Sequence, residues 1–317
     1  MKFAQVVSPH RLEIAEAAVP EPGDGEILVK VSVCGVDGPT FSHVMDGVDT
    51  VYPASGFNNL GLAHEASGRV VAVGRQVKNF AVGNRVSYLG PGFQEYAAVK
   101  SDFCGKVPDG VEDLALLGEP MAVMYHTAVR SGAAADQTVA VFGAGYMGLG
   151  IIHLLTRLAG PTIVAVETNP KRLSAARSMG AKYLVNPKEE DALEAIRRIT
   201  GGKGADLAIE ATGAEAVLRR IDEFVGMGGT VVLHGWFSGE TRLRLGQWHV
   251  KDLNLKFSHP APHEIYGRLI EEVGRRVAEG KIDLKPLITH QIPFADVPRL
   301  EQIMKSDDSY IKGVVIL

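Results

Sequence analysis

Three glycines, Gly143, Gly145 and Gly148, stand between a short apolar run at 139–142 and an apolar segment of helical length, and a second β-rich run at 163–166 ends on the acid Glu167. Strand, glycine turn, helix, strand and carboxylate, in that order, form the context that dinucleotide binding requires. Gly143 lets the chain turn sharply, Gly145 lets backbone approach a pyrophosphate, and Gly148 lets the helix pack close to the strand. The helix start offers N–H groups and a partial positive charge to the phosphates. Glu167 follows Gly148 at about the 20-residue spacing of an acid that accepts hydrogen bonds from the adenosine ribose. Its charge repels a 2′-phosphate, so the expected cofactor is NAD rather than NADP. Tyr146 and Met147 in the turn, with Arg172, Thr212 and His234, complete the predicted cofactor-binding set. His234 follows a predicted strand at 230–233, at the strand end that faces the ligand in a doubly wound sheet.

A second constellation lies ahead of the glycines: Cys34, the pair His64-Glu65, and Glu119. Sulfur, imidazole and carboxylate together suit a zinc ion with one position left open. Singly, each has a plainer reading. A lone cysteine is usually a small core hydrophobe, a lone histidine a hydrogen-bonded structural residue, and Glu119 before Pro120 a favourable helix N-terminus. The long spacings specify no local site.

The elements that must position these residues divide the chain of 317 residues in two, the usual count at this length. Residues 1 to about 122 hold short strand-like runs at 3–7, 26–33, 67–73, 85–88 and 93–99, separated by Gly/Pro/Asp turn clusters, and so predict a small barrel or sandwich. The aperiodic stretch 41–61 predicts a long functional loop. A helix is expected over 119–130. From there strands and helices alternate to about residue 280, ending on a helix at 264–279, and predict a doubly wound parallel sheet of about six strands. After Gly280 the pattern becomes irregular until a β-rich tail at 313–317, which is expected to return to the first domain.

Composition bounds the function. The net charge of −4 and the lack of a basic run argue against nucleic acid and anionic membrane partners. Two cysteines are too few for a disulfide framework. With no apolar leader core and no long apolar stretch, a cytoplasmic protein acting on a small molecule is expected.

Three segments read together resemble the zinc-dependent medium-chain dehydrogenases, most of all the sorbitol and threonine dehydrogenase-like branch. They are Val33-Cys34-Gly-Val-Asp37, Leu62-Ala-His64-Glu65-Ala-Ser-Gly68, and Leu116-Leu-Gly-Glu119-Pro120 ahead of the glycine turn. Gly83-Asn84-Arg85-Val86, Gly92-Phe-Gln-Glu95-Tyr96 and Glu210-Ala-Thr-Gly213 extend the likeness along the chain. The resemblance implies an α/β chain with a GroES-like β-rich catalytic domain at 1–122, completed by 281–317, and a Rossmann domain with a doubly wound parallel sheet at 123–280. It implies one catalytic zinc held by Cys34, His64 and Glu119, with Glu65 a further, exchangeable ligand or a partner of the ligands. Hydride would pass between NAD and a secondary alcohol, of polyol, sugar, cyclitol or amino-alcohol type, in a homodimer or homotetramer.

Three departures from the family pattern matter. Val36 replaces the hydroxyl residue that usually relays the alcohol proton, and the candidates to replace it are Thr40, Ser42 or His43 in the next loop, or a zinc-bound water with Glu65. No cysteine cluster follows Val86, so a second, structural zinc is not expected. The stretch between Cys34 and His64 is longer than the family's, which places Phe57, Asn58 and Asn59 near the substrate. Two rival readings stay open: a zinc-free reductase of the same fold, and a non-catalytic dinucleotide-binding or redox-sensing protein.

Overall fold

The computed structural model describes residues 1–38, 41, 63–237 and 239–317. The chain forms two compact units, one of residues 1–122 with 260–317 and the other of residues 123–259. No described helix is long and apolar enough to cross a membrane.

The first unit begins with a two-stranded antiparallel pair, β1 (Lys2–Ser8) and β2 (Arg11–Glu16). Then follow β3 (Glu26–Gly35), β4 (Glu65–Val73), β5 (Arg85–Leu89), β6 (Tyr96–Lys100) and β7 (Cys104–Lys106). Helix α1 (Gly118–Ser131) starts in this unit and ends in the second. Apolar residues of β3 and β5, among them Ile27, Val29, Val86 and Tyr88, are buried in the core of this unit.

The second unit alternates as predicted. It runs β8 (Thr138–Phe142), α2 (Tyr146–Leu158), β9 (Thr162–Val166), α3 (Pro170–Met179), β10 (Tyr183–Val185), α4 (Ala192–Ile199), β11 (Ala205–Glu210), β12 (Val225–Leu233), α5 (Leu245–Val250) and β13 (Asn254–Phe257). The six strands form one parallel sheet in the order β10-β9-β8-β11-β12-β13. Its inner strands read as continuous apolar runs because helices cover both faces of such a sheet. Val139 to Val141, Ile163 to Ala165 and Leu207 to Ile209 are all buried.

The chain after residue 260 returns to the first unit as α6 (Tyr266–Ala278), β14 (Ile288–Pro293), α7 (Leu300–Ser306) and β15 (Lys312–Ile316). The first unit's large sheet has the order β14-β15-β3-β4-β5-β7, with β6 also paired to β3.

The return begins earlier than expected. The helix predicted at 264–279 belongs to the first unit, where α6 packs on β7 and β5. Two glycines permit this packing. A Cβ on Gly105 of β7 would lie 2.7 Å from the Gly267 carbonyl oxygen, and a Cβ on Gly267 would lie 2.6 Å from the Cys104 carbonyl oxygen. Residues after 280 are also more regular than their prolines imply, with β14 running parallel to β15. The predicted loop at 41–61 lies outside the described residues except for the buried Phe41.

Candidate active site

The end of β3 and the start of β4 bring the first residues together. Gly35 pairs with Glu65, and Cys34 with Ala66. His64 immediately precedes β4, and Glu119 is the second residue of α1. The start of α1 is tied down by two buried serines. The Gly118 N–H donates to Ser87 Oγ at 2.8 Å. Ser67 Oγ lies 2.7 Å from Ser87 Oγ and donates to the Leu116 carbonyl at 3.2 Å, and Ser87 Oγ donates to the Ala66 carbonyl. Backbone of β4, β5 and the entry to α1 is thereby fixed in one hydroxyl network, and Glu119 is carried to His64.

His64, Glu65 and Glu119 are buried, and one ligand atom from each lies within 4.8 Å of the others. His64 Nε2 is 3.9 Å from Glu119 Oε2 and 3.9 Å from Asp37 Oδ2. Glu65 Oε2 is 2.5 Å from the buried Lys312 Nζ, which also donates to the Val36 carbonyl at 2.9 Å. Cys34 is fully buried on β3, and its thiol donates to the Gly35 carbonyl at 3.4 Å. It is not among the three mutually close ligand atoms. Gly92 leaves it room, since a Cβ there would lie 2.1 Å from the sulfur.

Burial dominates the electrostatics. It raises the Glu119 carboxyl to about 7 against the pull of His64. It also raises Glu65, with Lys312 the largest opposing influence, and pushes the Cys34 thiol far up. Burial disfavours charge on His64, but Glu119, Asp37 and Glu65 outweigh it and hold the imidazole above its usual value. One buried imidazole and two buried carboxylates gathered within 4.8 Å, with Cys34 buried on the neighbouring strand, fit a borderline cation such as zinc in donor chemistry.

Asp37 and Lys312 are partners that sequence reasoning did not assign. Neither carried a signal in the sequence, because Lys312 opens β15 and only the folded sheet buries it against Glu65. Thr40, Ser42, His43, Phe57, Asn58 and Asn59 lie outside the described residues. Val36 is buried beside the cluster, with its N–H donating to Gly313.

In the second unit, β8 delivers the chain to Gly143 at φ 92°, a left-handed turn in which a Cβ would also meet Thr212. A Cβ on Gly145 would meet nothing within 4 Å, whereas one on Gly148 would lie 2.0 Å from the Gly143 carbonyl oxygen. The middle glycine therefore opens the backbone outward and the last one packs α2 against the turn. Tyr146 is the buried first residue of α2, and Met147 is half-buried. Glu167, just beyond β9, accepts hydrogen bonds from the N–H groups of Ala144, Thr168 and Asn169 at 2.7–2.9 Å. Asn169 in turn caps α3, accepting from the N–H groups of Lys171 and Arg172. Thr212 donates through N–H and hydroxyl to the buried Glu210. His234 Nδ1 lies 2.8 Å from Thr127 Oγ1, and burial lowers its imidazole to about 4. The turn, the acid and Thr212 form one connected cradle of the shape a dinucleotide needs.

Residues 23–109 match the alcohol dehydrogenase GroES-like domain, and residues 147–273 match the zinc-binding dehydrogenase domain. The chain belongs to the zinc-type alcohol dehydrogenase family. Its chemistry is therefore nicotinamide-linked alcohol oxidoreduction. The sorbitol dehydrogenase of Bacillus subtilis is 29% identical over 92% of this chain and 90% of its own. The (R,R)-butanediol dehydrogenase of Bacillus subtilis is also 29% identical, over 94% of each chain. The crystal structure of 2R,3R-butanediol dehydrogenase from Bacillus subtilis superposes with a TM-score of 0.85 at 26% identity, covering 100% of this chain and 99% of that one. This dehydrogenase thus shares its two-domain fold with relatives that act on small alcohols.

Proposed function

We propose that this dehydrogenase uses NAD and one zinc ion to oxidise a secondary alcohol of polyol, sugar, cyclitol or amino-alcohol type, or to reduce the matching ketone. The observation that carries this reading is the buried His64, Glu65 and Glu119 cluster, with the Cys34 thiol on the adjoining strand position. Cys34, His64 and Glu119 would hold the zinc. Zinc supplies Lewis acidity toward the substrate oxygen. Asp37, 3.9 Å from His64 Nε2, favours one orientation of the imidazole. Val36 offers no hydroxyl, so we assign the movement of the alcohol proton to Thr40 or His43. Glu167, whose carboxylate is fixed by three backbone N–H groups, favours a ribose hydroxyl over a 2′-phosphate. Names of relatives such as sorbitol and butanediol dehydrogenase support a substrate with neighbouring hydroxyl groups. We also propose a homo-oligomer, because β13 ends the six-stranded sheet with Leu255 and Phe257 exposed.

A panel of polyols, aminocyclitols and β-hydroxy amino acids, assayed for NADH and NADPH formation, tests this reading. Turnover of at least one class with NAD preferred supports it. Cofactor binding without turnover of any alcohol or ketone would favour the non-catalytic alternative.

A further inference from the structure

His234 follows β12 directly, at the strand end where a doubly wound sheet binds its ligand. Its backbone is tied to the end of β11. The N–H groups of His234 and Gly235 both donate to the Glu210 carbonyl, at 2.9 and 2.8 Å. The loop that continues from His234 packs on the one that follows β11, since a Cβ on Gly213 would lie 2.6 Å from the Trp236 carbonyl oxygen.

Two hydroxyls meet the imidazole at the same nitrogen. Thr127 Oγ1 lies 2.8 Å from Nδ1, and Ser258 Oγ lies 3.5 Å from it. Each hydroxyl has one proton and donates it to a carbonyl, Thr127 to Val123 at 2.9 Å and Ser258 to Leu233 at 3.1 Å. Both oxygens are left to accept from the ring, so Nδ1 carries the ring proton and Nε2 the lone pair. Burial lowers the imidazole to about 4, with His259 adding to the effect, so the ring stays neutral and Nε2 stays an acceptor. No described residue donates to Nε2. A fixed acceptor without a protein donor, at the ligand end of the sheet, calls for a ligand with an N–H or O–H group there.

The place of β12 in the sheet names the donor. In the order β10-β9-β8-β11-β12-β13, the glycine turn follows β8 and Glu167 follows β9. With the adenosine ribose at Glu167 and the pyrophosphate at the turn, the nicotinamide half extends the other way, toward the ends of β11 and β12. The nicotinamide ring bears one donor group, its carboxamide N–H2. We infer that His234 Nε2 accepts a hydrogen bond from this carboxamide, with Thr127 and Ser258 as positioning residues that hold the imidazole in the accepting tautomer. The contact rests on the NAD reading above and requires no metal. A carboxamide held at one edge fixes the rotation of the ring about its glycosidic bond, and so the face it presents for hydride transfer.

Calorimetric titration of the full chain with NAD and with its 3-acetylpyridine analogue tests the contact, because the analogue carries a methyl group where NAD carries the N–H2. The wild type is expected to bind NAD about five- to tenfold more tightly than the analogue. In His234→Leu the ratio is expected to fall to within about twofold, through weaker NAD binding and nearly unchanged analogue binding. A loss of packing alone would weaken both ligands together and leave the ratio as it was. Thr127→Val keeps the imidazole but frees its tautomer, and is expected to lower the ratio by about threefold. It also carries the test if His234→Leu does not fold. The assignment is overturned if the wild type binds both dinucleotides equally, or if the ratio is unchanged in either variant. A wild type that binds no nicotinamide dinucleotide overturns the cofactor reading itself.

Discussion

Two single side chains carry predictions of their own: Glu167 for the proposed cofactor choice and His234 for pH response. The Glu167 carboxylate is aligned by the N–H groups of Ala144, Thr168 and Asn169. Replacing it with serine removes the negative charge that opposes a 2′-phosphate. The expected result is a shift of about tenfold or more in the ratio of kcat/KM for NAD to that for NADP. An unchanged ratio would remove Glu167 from the specificity argument. His234 is held neutral to about pH 4 by burial, whereas the unfolded chain titrates near the ordinary histidine value. As pH falls below about 6.5, the unfolded state takes up a proton that the folded state refuses, so stability is lost from there down to about 4. Between pH 7.5 and 5 this histidine costs the wild type at most about 2 kcal/mol. Urea unfolding of His234→Gln should show a shallower decline over that range, and parallel pH profiles would contradict the assignment. At this scale the glycine turn and Glu167 stood out by residue type and spacing, whereas His64 and Glu119 were joined only by the family resemblance. Lys312 and Asp37 were not legible, since their significance lies in which distant carboxylate or imidazole the sheet brings to them.

Elements explain how Glu119 is placed and where the pattern misled. The start of α1, and with it Glu119, is set by the Ser67 and Ser87 hydroxyls. Ser87→Ala leaves the Gly118 N–H and Ser67 hydroxyl short of a buried partner, a loss of about 1–3 kcal/mol. A lowered melting temperature together with weaker zinc binding is the expected outcome, and unchanged zinc affinity would show that the network does not position Glu119. Strand and helix alternation made the six-stranded parallel sheet readable, because inner strands buried on both faces leave long apolar runs. The same alternation misassigned α6. Its amphipathic sequence says that one face is buried but not against which unit, and the deciding feature is a contact between Gly105 and Gly267 across 162 positions of chain. Gly267→Ala should therefore cost about 1–3 kcal/mol by overpacking against the Cys104 carbonyl. A neutral effect on thermal unfolding would contradict this packing account.

For the whole molecule, the proposed chemistry divides between the two units. The first holds the acid, imidazole and thiol cluster, and the second holds the glycine turn with Glu167. Both halves were readable as motifs, but the order of strands around β3, and so the placement of Lys312 and Gly35, needed the folded sheet. The exposed Leu255 and Phe257 on the terminal strand β13 bear on assembly. Light scattering should give the mass of a multimer, and Leu255→Lys/Phe257→Glu should reduce it to the monomer if that edge joins the copies. The measurement closest to the central claim is zinc content and NADH formation on one preparation, before chelation, after chelation and after zinc is returned. The account predicts one zinc ion per chain, loss of alcohol-dependent NADH formation when the ion is removed, and recovery when it is restored. A folded, zinc-free chain that forms NADH from the same alcohol at the original rate would contradict it.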